Sequence, residues 1–286
     1  MPSSDRTRWT IRGRTLDLGG VPLIMGIVNV TPDSFSDGGR FLDADAAVAQ
    51  GKRLLEEGAD LLDVGGESTR PGAKPVPVAE ELQRVIPVIE RLVREAGACV
   101  SVDTRKAAVA EAALAAGAAI VNDVSALRAD PALGGVVARA GAGLVLMHMQ
   151  GEPRTMQKEP AYAEVVTEVI GFLRERGAAA AAAGISAEAI VYDPGIGFGK
   201  TAAHNLEILR RLPEFSALGR PLLVGPSRKA FIGQVLGGLP PAERGDGTAA
   251  AVALSVAGGA AILRVHDVKA MARAARVAAA IAGRGG

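Results

Sequence analysis

The stretch Met25-Gly-Ile-Val-Asn-Val-Thr-Pro-Asp-Ser-Phe-Ser-Asp-Gly-Gly39 decides the fold of this chain. Apolar or small residues lead from Leu23 to Val28 and stop at Asn29, the first strongly polar side chain, before a Pro-Asp turn and a Gly-rich loop. This pattern predicts a buried strand whose carboxyl end opens into a loop, which is where α/β barrels place their chemistry. The loop also offers two carboxylates and one aromatic ring, those of Asp33, Asp37 and Phe35.

Further apolar runs of similar length follow, and most of them also end on polar groups. The eight runs together cover residues 23–29, 61–65, 99–103, 119–122, 144–148, 190–193, 222–225 and 261–264. Their apolarity is continuous rather than alternating, which is typical of parallel strands buried on both faces. Because helix-forming segments separate the runs, the chain predicts an α/β fold of the (β/α)8 TIM-barrel type.

The helices are predicted from apolar residues at helical spacing. They are expected at 43–57, 78–95, 106–116, 132–140, 162–183, 205–212, 245–257 and 268–282. Asp43 is the expected N-cap of the first helix, and Pro87 should kink the second or fall near its start. The opening segment 10–16 alternates and predicts a short N-terminal hairpin at the barrel bottom. We expect one domain over residues 1–286, with the barrel beginning at about residue 20.

Composition narrows the class of protein. Apolar residues make up 49% of the chain and charged residues 22%, which favours a sizeable core over disorder. The 32 Lys and Arg residues nearly balance the 31 Asp and Glu residues, so no broad basic surface for nucleic acid is expected. Cys99, the single cysteine, is interpreted as a buried strand residue. One thiol, no signal-peptide segment and no good membrane span together indicate a cytoplasmic protein.

Polar side chains follow nearly every predicted strand. In chain order they are Asn29, the 67–70 segment Glu-Ser-Thr-Arg, Asp103, Asn122, His148, Asp193, the 227–229 segment Ser-Arg-Lys, Arg264 and His266. A barrel brings the carboxyl ends of all its strands to one rim, although these residues span about 240 positions of sequence. Solvation explains a single polar strand end, but the whole series predicts one active site.

The rim residues are of two chemical kinds. Arginine forks suit phosphate oxygens, so Arg70, Arg264 and His266 predict an anion site, and the amide oxygen of Asn29 is a modest Mg²⁺ ligand beside phosphate. Carboxylates, an amide and an ammonium can together bind the edge of a flat nitrogen heterocycle. The residues that offer these groups are Asp103, Asn122, Asp193 and Lys229, with Met147 as a suitable wall for the ring.

Three further positions have ordinary structural explanations. Lys200 closes the glycine-rich segment 193–200, and because Pro194 stands where a Walker loop needs glycine, a structural or solvent role is favoured over phosphate binding. His148 is interpreted as a hydrogen-bonded rim histidine rather than a catalytic one, and His204 as a helix cap or surface residue. Such scattered histidines and one cysteine do not favour a zinc site.

With these residues in place, the chain resembles the dihydropteroate synthase family of pterin-binding enzymes. The matching motifs follow one another in family order, from about residue 20 to the end of the chain. They lie at 26–38, 63–72, 101–104, 121–123, 147–151, 193–200, 227–229 and 264–267. The first two motifs are highly specific together, and no functional family residue is missing.

The resemblance implies a transferase of folate biosynthesis that condenses 6-hydroxymethyl-7,8-dihydropterin diphosphate with 4-aminobenzoate, giving 7,8-dihydropteroate and pyrophosphate with Mg²⁺ as cofactor. It places a pterin pocket at Asp103, Asn122, Met147, Asp193, Phe198, Lys229 and Arg264. It places the diphosphate at Asn29, Arg70, Arg264 and His266, with Asn29 as the metal ligand. The aminobenzoate pocket, where sulfonamides compete in this family, falls on Phe35, Thr69, Arg70, Pro71, Ser227 and Lys229.

By the same resemblance, the catalytic residues are expected to be Asp103, Lys229, Arg264 and Asp37. The bond from carbon to diphosphate should break early, in an SN1-like reaction, because the dihydropterin ring can delocalise the resulting methylene cation. Asp103 and Asp37 would stabilise that cation electrostatically. The loop 31–39 is expected to act as a lid that excludes water, whereas Asn29 belongs to the fixed rim.

Two alternative functions remain open at this stage. A barrel that passes a methyl group from methyltetrahydrofolate to a corrinoid protein would share the Asp and Asn pocket, but it has no use for the segment 68–71 or for a diphosphate cluster. A catalytically silent paralogue would be expected to lose loop residues that this chain keeps.

The expected partners are small-molecule substrates, and neither nucleic acid nor a membrane is expected. The family resemblance also implies a homodimer. The candidate apolar residues for that contact lie on the last predicted helix and are Val268, Met271, Ala272 and Ala275.

Overall fold

The computed structural model describes residues 4–31, 40–68 and 72–284. Within these residues, an antiparallel hairpin of β1 (Arg8–Ile11) and β2 (Arg14–Asp17) precedes a sheet of eight parallel strands. The parallel strands are β3 (Leu23–Asn29), β4 (Leu61–Gly65), β5 (Val100–Asp103), β6 (Ile120–Asp123), β7 (Gly143–Met147), β8 (Ile190–Asp193), β9 (Leu223–Val224) and β10 (Ile262–Val265). Each of them confirms one predicted apolar run.

The sheet closes on itself. Its strands follow in the order β8-β7-β6-β5-β4-β3-β10-β9. A bridge between Tyr192 and Leu222, with the Tyr192 N–H donating to the carbonyl of Pro221 at 3.0 Å, joins β8 to β9. The predicted (β/α)8 barrel is therefore confirmed. β9 is short because Pro221 and Pro226 flank it and neither can donate to a sheet ladder.

Helices alternate with the barrel strands. They are α1 (Arg40–Glu56), α2 (Val78–Ala96), α3 (Ala107–Ala115), α4 (Leu133–Ala140), α5 (Val165–Ala182), α6 (Ala202–Arg210), α7 (Ala230–Val235), α8 (Gly245–Ala257) and α9 (Val268–Ile281).

The prediction of Asp43 as an N-cap is wrong, since α1 begins at Arg40. Pro87 lies inside α2, which continues past it. The sequence prediction lacks α7, whose 6 residues are too few to show a helical period.

The predicted hairpin closes the amino-terminal end of the barrel. Trp9 is fully buried and donates from Nε1 to the carbonyl of Ala189 at 2.8 Å. A Cβ atom on Gly143, the first residue of β7, would lie 2.9 Å from the Trp9 ring, so glycine is needed for this contact. The ring belongs to an apolar cluster inside the barrel with Met25, Val145 and other strand residues. The hairpin therefore supplies the barrel floor.

Strand register prepares the opposite, carboxyl-terminal end. Asn29 pairs with Gly65, Gly65 with Asp103, and Asp103 with Asn122, so these residues form one row across β3 to β6. Residues in one row of a parallel sheet point to the same face. Asp63, two residues before Gly65, points the same way. The row therefore places polar groups of four adjacent strands on one side of the sheet.

The last helix does not present its apolar residues to a partner. Val268, Met271, Ala272 and Ala275 are buried in the core of this chain, where α9 packs on the barrel. The sequence argument that used them for a dimer contact is therefore wrong. The large exposed apolar side chains of α9 are instead those of Val277 and Ile281.

Two smaller expectations concern Cys99 and the membrane. Cys99 is half-buried and lies directly before β5 rather than within it. Burial raises the pKa of its thiol, so it is not an activated nucleophile. Within the described part of the chain, no helix is long and apolar enough to cross a membrane.

Replacing Trp9 by alanine should lower the free energy of unfolding by about 4 kcal/mol, because the change empties the barrel floor and leaves the Ala189 carbonyl unpaired. Urea unfolding monitored by circular dichroism measures this loss. Val21, which is 40% exposed, is the matched control, and Val21→Ala should change the stability by less than about 0.5 kcal/mol. A Trp9 variant as stable as the control would contradict the role of the hairpin.

Candidate active site

Arg264, on β10, reaches across the carboxyl-terminal end of the barrel to two acidic side chains. Its Nε donates to Asp63 Oδ2 at 2.7 Å and its Nη2 donates to Asp103 Oδ2 at 3.0 Å. Burial disfavours the guanidinium charge, but the two carboxylates outweigh it and raise the pKa of Arg264. The arginine is therefore a fixed positive charge, and its Nη1 makes no hydrogen bond to the residues that the structure describes.

Asp63 is the site residue that the sequence prediction missed. It is fully buried on β4, and its Oδ2 accepts from both Arg264 Nε and Asn122 Nδ2, the latter at 2.9 Å. Because Asn122 donates its amide hydrogen to Asp63, its carbonyl oxygen is free to point at a ligand as an acceptor. The signal in the sequence is a carboxylate inside the apolar run Leu61-Leu-Asp-Val64, where a charge needs a buried partner.

Asp103 ends β5 and confirms its predicted place on the rim. Burial, together with the nearby Asp63 carboxylate, raises the pKa of Asp103 well above its ordinary value, whereas Arg264 acts to lower it. The two acids and the arginine form one electrostatic unit at the centre of the rim.

Asp193 ends β8 and supplies a second carboxylate, which the structure confirms as part of the rim. Its Oδ1 accepts from the backbone N–H of Gly195 at 2.7 Å. Burial raises the pKa of Asp193 to about 6, although the Gly195 N–H and the charges of Lys229 and Lys200 act to lower it. The carboxylate can therefore accept hydrogen bonds at neutral pH, and its protonation lies within an accessible pH range.

Lys229 and an apolar wall formed by Phe198 and Met147 lie beside Asp193. The Lys229 ammonium lies 4.1 Å from the centroid of the Phe198 ring, in a cation–π arrangement. Phe198 packs on a buried cluster that contains Met147, Met149 and Met156. Met147 pairs with Asp193 in the β7–β8 register, so the wall and the carboxylate are adjacent. A flat ring held by Asp193 would rest against polarisable sulfur and an aromatic face.

Ser227 and His266 form a pair on the next two strand ends. The backbone N–H of His266 donates to Ser227 Oγ at 3.2 Å, and the same oxygen lies 3.0 Å from the ring nitrogen Nδ1 of His266. Because Oγ already accepts from the backbone, its hydroxyl hydrogen is available for Nδ1, which leaves the ring hydrogen on Nε2. Burial, aided by the charge of Arg264, lowers the pKa of His266 to about 3. His266 is therefore a neutral N–H donor.

The family resemblance assigns Ser227 to the aminobenzoate pocket and His266 to the diphosphate site, and the structure brings the two side chains into contact. Arg228, between Ser227 and Lys229, fixes this corner of the rim. Its backbone is left-handed, with φ at 57°, and its guanidinium pairs with Asp267 through two hydrogen bonds. The strand ends of β9 and β10 are thereby joined.

Glu67 has a structural role rather than a place at the ligand. Its carboxylate accepts from Lys106 Nζ at 2.6 Å, from Arg105 Nη2 at 2.9 Å and from the backbone N–H of Val76 at 2.9 Å. Burial would raise the pKa of Glu67, but the hydrogen bonds from Lys106 and Val76 lower it below its ordinary value. The residue ties β4 to the segment before α2.

The remaining histidines and Lys200 agree with their structural interpretation. His148 is buried, and its Nδ1 lies 2.9 Å from Lys200 Nζ. His204 and Thr201 form a capping box at the start of α6. Lys200 is 3% exposed and makes no approach to solvent, so of the two roles predicted for it the structural one is correct.

Several expected site residues lie outside the residues that the structure describes. These are Asp33, Phe35, Asp37, Thr69, Arg70 and Pro71. The expected lid 31–39 falls there too, apart from Thr31. Asn29 is described and ends β3 beside Gly65. In the described part of the chain, no cluster of three or more His, Cys, Asp or Glu side chains is arranged to hold a metal ion.

This geometry can be set beside known proteins. Residues 25–266 match the family model described as the pterin binding enzyme. A dihydropteroate synthase from Synechocystis is 48% identical, over 94% of this chain and 93% of its own length. The chain belongs to the dihydropteroate synthases. The similarity extends over nearly the whole of both chains, so it includes the barrel and the rim together.

Solved dihydropteroate synthases share the fold. The Xanthomonas albilineans dihydropteroate synthase with 4-aminobenzoic acid superposes with a TM-score of 0.89 at 52% identity, covering 96% of this chain and 98% of that one. A structure of the same enzyme in complex with 7,8-dihydropteroate gives a TM-score of 0.85 at 49% identity, again over 96% of this chain and 98% of that one. The dihydropteroate synthase resemblance inferred from the motifs is thereby confirmed.

The affinity of this protein for a pterin should fall as the pH drops below the pKa of Asp193. With that pKa at about 6, the dissociation constant at about pH 5 should be about tenfold larger than at about pH 8, because the protonated acid loses one acceptor and its charge. Calorimetric titration with a pterin across this range measures the effect.

Asp193→Asn is the matched control, since it keeps the shape of the side chain and removes its titration. The variant should bind the pterin more weakly at neutral pH and should lack the additional tenfold loss on acidification. If the wild-type protein and the variant show the same pH profile, the carboxylate of Asp193 is not a pterin contact.

Proposed function

We propose that this chain condenses 6-hydroxymethyl-7,8-dihydropterin diphosphate with 4-aminobenzoate, giving 7,8-dihydropteroate and pyrophosphate. The observation that carries the proposal is the rim of Asp63, Asp103, Asn122, Asp193 and Lys229 around Arg264, in a chain that is 52% identical to an enzyme solved with 4-aminobenzoic acid. The rim offers acceptors and donors to a pterin edge, and its cations offer a place for diphosphate.

Pterin recognition follows from the donors and acceptors that the rim presents. The 2-amino group and the ring N–H of a pterin are adjacent donors, and the Asp193 carboxylate and the Asn122 carbonyl are acceptors on the same rim. Lys229 supplies a donor for a ring nitrogen or carbonyl. The ring would lie between the wall formed by Met147 and Phe198 and the planar face of Arg264.

The leaving diphosphate would meet donors on β10. Arg264 Nη1 and His266 Nε2 carry hydrogens that are not used by the hydrogen bonds described above. Phosphate oxygens accept strongly from a guanidinium, and a fixed cation stabilises the charge that develops as the C–O bond breaks. Asp63 and Asp103 hold the arginine in place, so no reorganisation is needed when that charge appears.

Mg²⁺ fits the donor chemistry of this site. The amide oxygen of Asn29, diphosphate oxygens and water are hard donors, and Mg²⁺ is commonly bound through one or two protein oxygens and substrate phosphates. Asn29 would hold the ion at the end of β3. When bound, Mg²⁺ would neutralise part of the diphosphate charge. The side chains named above would still bind and orient the pterin.

The second half of the reaction needs a site for the amine. Loss of diphosphate leaves a methylene cation that the dihydropterin ring delocalises, and the buried Asp103 carboxylate would stabilise that positive charge when ionised. The amine nitrogen of 4-aminobenzoate then forms the new C–N bond and releases a proton. Ser227 and Lys229 would face the aminobenzoate, together with Phe35, Thr69, Arg70 and Pro71, and Asp37 would assist at the cation.

We also propose that the protein is a cytoplasmic homodimer. Leu254 on α8 and Val277 and Ile281 on α9 are between 62% and 84% exposed, and two copies could bury them. Sedimentation of the wild-type protein and of a Val277→Glu variant tests the contact. A dimer that persists unchanged in the variant would exclude this face.

A pyrophosphate-release assay with both substrates tests the proposed function directly. Release that requires 4-aminobenzoate identifies the condensation, whereas a corrinoid methyltransferase or a silent paralogue would release none. The same assay gives the Michaelis constant for each substrate, which the next variant uses.

Arg264→Ala should raise the KM for the pterin diphosphate by about 100-fold, because the change removes the diphosphate donor and deprives Asp63 and Asp103 of the cation that pairs with them. The KM for 4-aminobenzoate should change by less than about threefold. Arg211, an ion-paired surface residue, is the control, and Arg211→Ala should alter neither constant. Equal losses for the two substrates would contradict the assignment of Arg264.

A further inference from the structure

The segment between β8 and α6 is a loop of unusual backbone, here called the glycine loop (residues 194–199). Three of its residues, Gly195, Gly197 and Gly199, have φ values of 68°, 84° and 59°. A Cβ atom on Gly195 would lie 1.9 Å from the carbonyl oxygen of His148, and one on Gly199 would lie 2.5 Å from that of Gln150. The loop therefore lies directly against the residues that follow β7.

Side chains satisfy the carbonyls of the glycine loop in place of a sheet or helix. Tyr162 Oη donates to Gly199 O at 2.7 Å, and Gln157 Nε2 donates to Gly197 O at 2.8 Å. The carbonyls of Gly195 and Phe198 both accept from Lys200 Nζ, at 2.9 and 3.0 Å. Because buried carbonyls need donors, the shape of the loop depends on these side chains.

Lys200 joins the glycine loop to β7. Besides the two carbonyls, its Nζ lies 2.9 Å from His148 Nδ1. Burial lowers the pKa of His148 to about 2, so the imidazole is neutral and its Nδ1 can accept. An ammonium has three hydrogens, and here they face one ring nitrogen and three carbonyls, of which that of His148 is the farthest at 3.4 Å. All of these acceptors are protein groups, and Lys200 is buried among them.

Both His148 and the glycine loop contact Asp193, a residue of the candidate pterin pocket. The backbone N–H of His148 donates to the backbone carbonyl of Asp193 at 2.9 Å, and the backbone N–H of Gly195 donates to the Asp193 carboxylate at 2.7 Å. Phe198, whose carbonyl Lys200 holds, carries the ring that faces the Lys229 ammonium. One buried ammonium thus connects the backbone of a pocket carboxylate with the backbone of the pocket wall.

We propose that Lys200 is a positioning residue for the pterin pocket, whose ammonium fastens the glycine loop to His148 and so sets the places of Asp193 and Phe198. This inference rests on the proposed function, because the proposed reaction is what assigns a pterin to that pocket. Lys200 acts through its neighbours and does not touch the substrate.

Stability alone does not explain a lysine at this position. Burial lowers the pKa of Lys200 to about 7, which shows that the surroundings disfavour its charge. Replacing a buried charge by an apolar side chain of similar volume is often neutral or stabilising for a fold. A methionine would fill the same space but would remove the Lys200 donor from the carbonyls of Gly195 and Phe198, leaving Gly195 O with only the backbone N–H of Phe198 at 3.1 Å.

The test compares Lys200→Met with Lys158→Met, which removes an exposed lysine. Loss of buried hydrogen bonds in Lys200→Met should raise the pterin dissociation constant, measured by calorimetry, and the KM for the pterin diphosphate by about tenfold. The KM for 4-aminobenzoate at saturating pterin should stay within about twofold of the wild type, as should all constants of the control. A folded Lys200→Met protein with wild-type pterin affinity, or with equal losses for both substrates, would overturn the proposal.

A second pair of variants decides the matter if Lys200→Met does not fold. His148→Gln keeps a side-chain acceptor for Lys200, whereas His148→Phe keeps a ring and removes the acceptor. His148→Phe should bind the pterin about threefold more weakly than His148→Gln. Equal pterin affinities in the two variants would overturn the proposal. Failure of the wild-type protein to release pyrophosphate would instead count against the proposed function, which keeps the two inferences separate.

Discussion

Arg264 carries a positive charge into the barrel between Asp63 and Asp103, and the surrounding site depends on how that charge is held. An isolated buried guanidinium or carboxylate would be strongly destabilising, so the three groups are tolerable only together. Asp63 also orients Asn122. The result is a set of side chains whose directions are fixed before any ligand arrives, which is the condition for electrostatic stabilisation of a developing charge.

The barrel separates this polar end from an apolar one. Trp9 and the interior residues around Met25 fill the amino-terminal half, and the hairpin covers it. The carboxyl-terminal half contains the row of Asn29, Gly65, Asp103 and Asn122. Because the barrel floor is closed and well packed, the fold tolerates buried polar atoms at the rim that have no hydrogen-bond partner among the described residues, such as Asp63 Oδ1.

The rim is connected in its own right. Ser227 and His266 link the ends of β9 and β10, Arg228 and Asp267 repeat that link, and Lys200 joins the loops after β7 and β8. These side-chain hydrogen bonds add to the few backbone hydrogen bonds that hold the loops at the strand ends. A ligand bound among these loops would therefore meet groups whose positions are set by neighbours on adjacent strands.

The sequence by itself determined the barrel and most of its rim. Continuous apolar runs that end on Asn29, Asp103, Asn122 and Asp193 allow one arrangement, because parallel strands bring their carboxyl ends to one side. The alternating start of the chain likewise predicted the hairpin. These features are local in sequence, so periodicity and strand-end polarity are enough to find them.

Only the tertiary structure decided which polar groups meet. Asp63 and Arg264 are 201 positions apart, and nothing in the spacing of either residue indicates the other. The same holds for Lys200 with His148, and for the apolar face of α9, which turned out to be core rather than a dimer contact. Pairing between distant residues depends on strand register and barrel closure, which are properties of the whole fold.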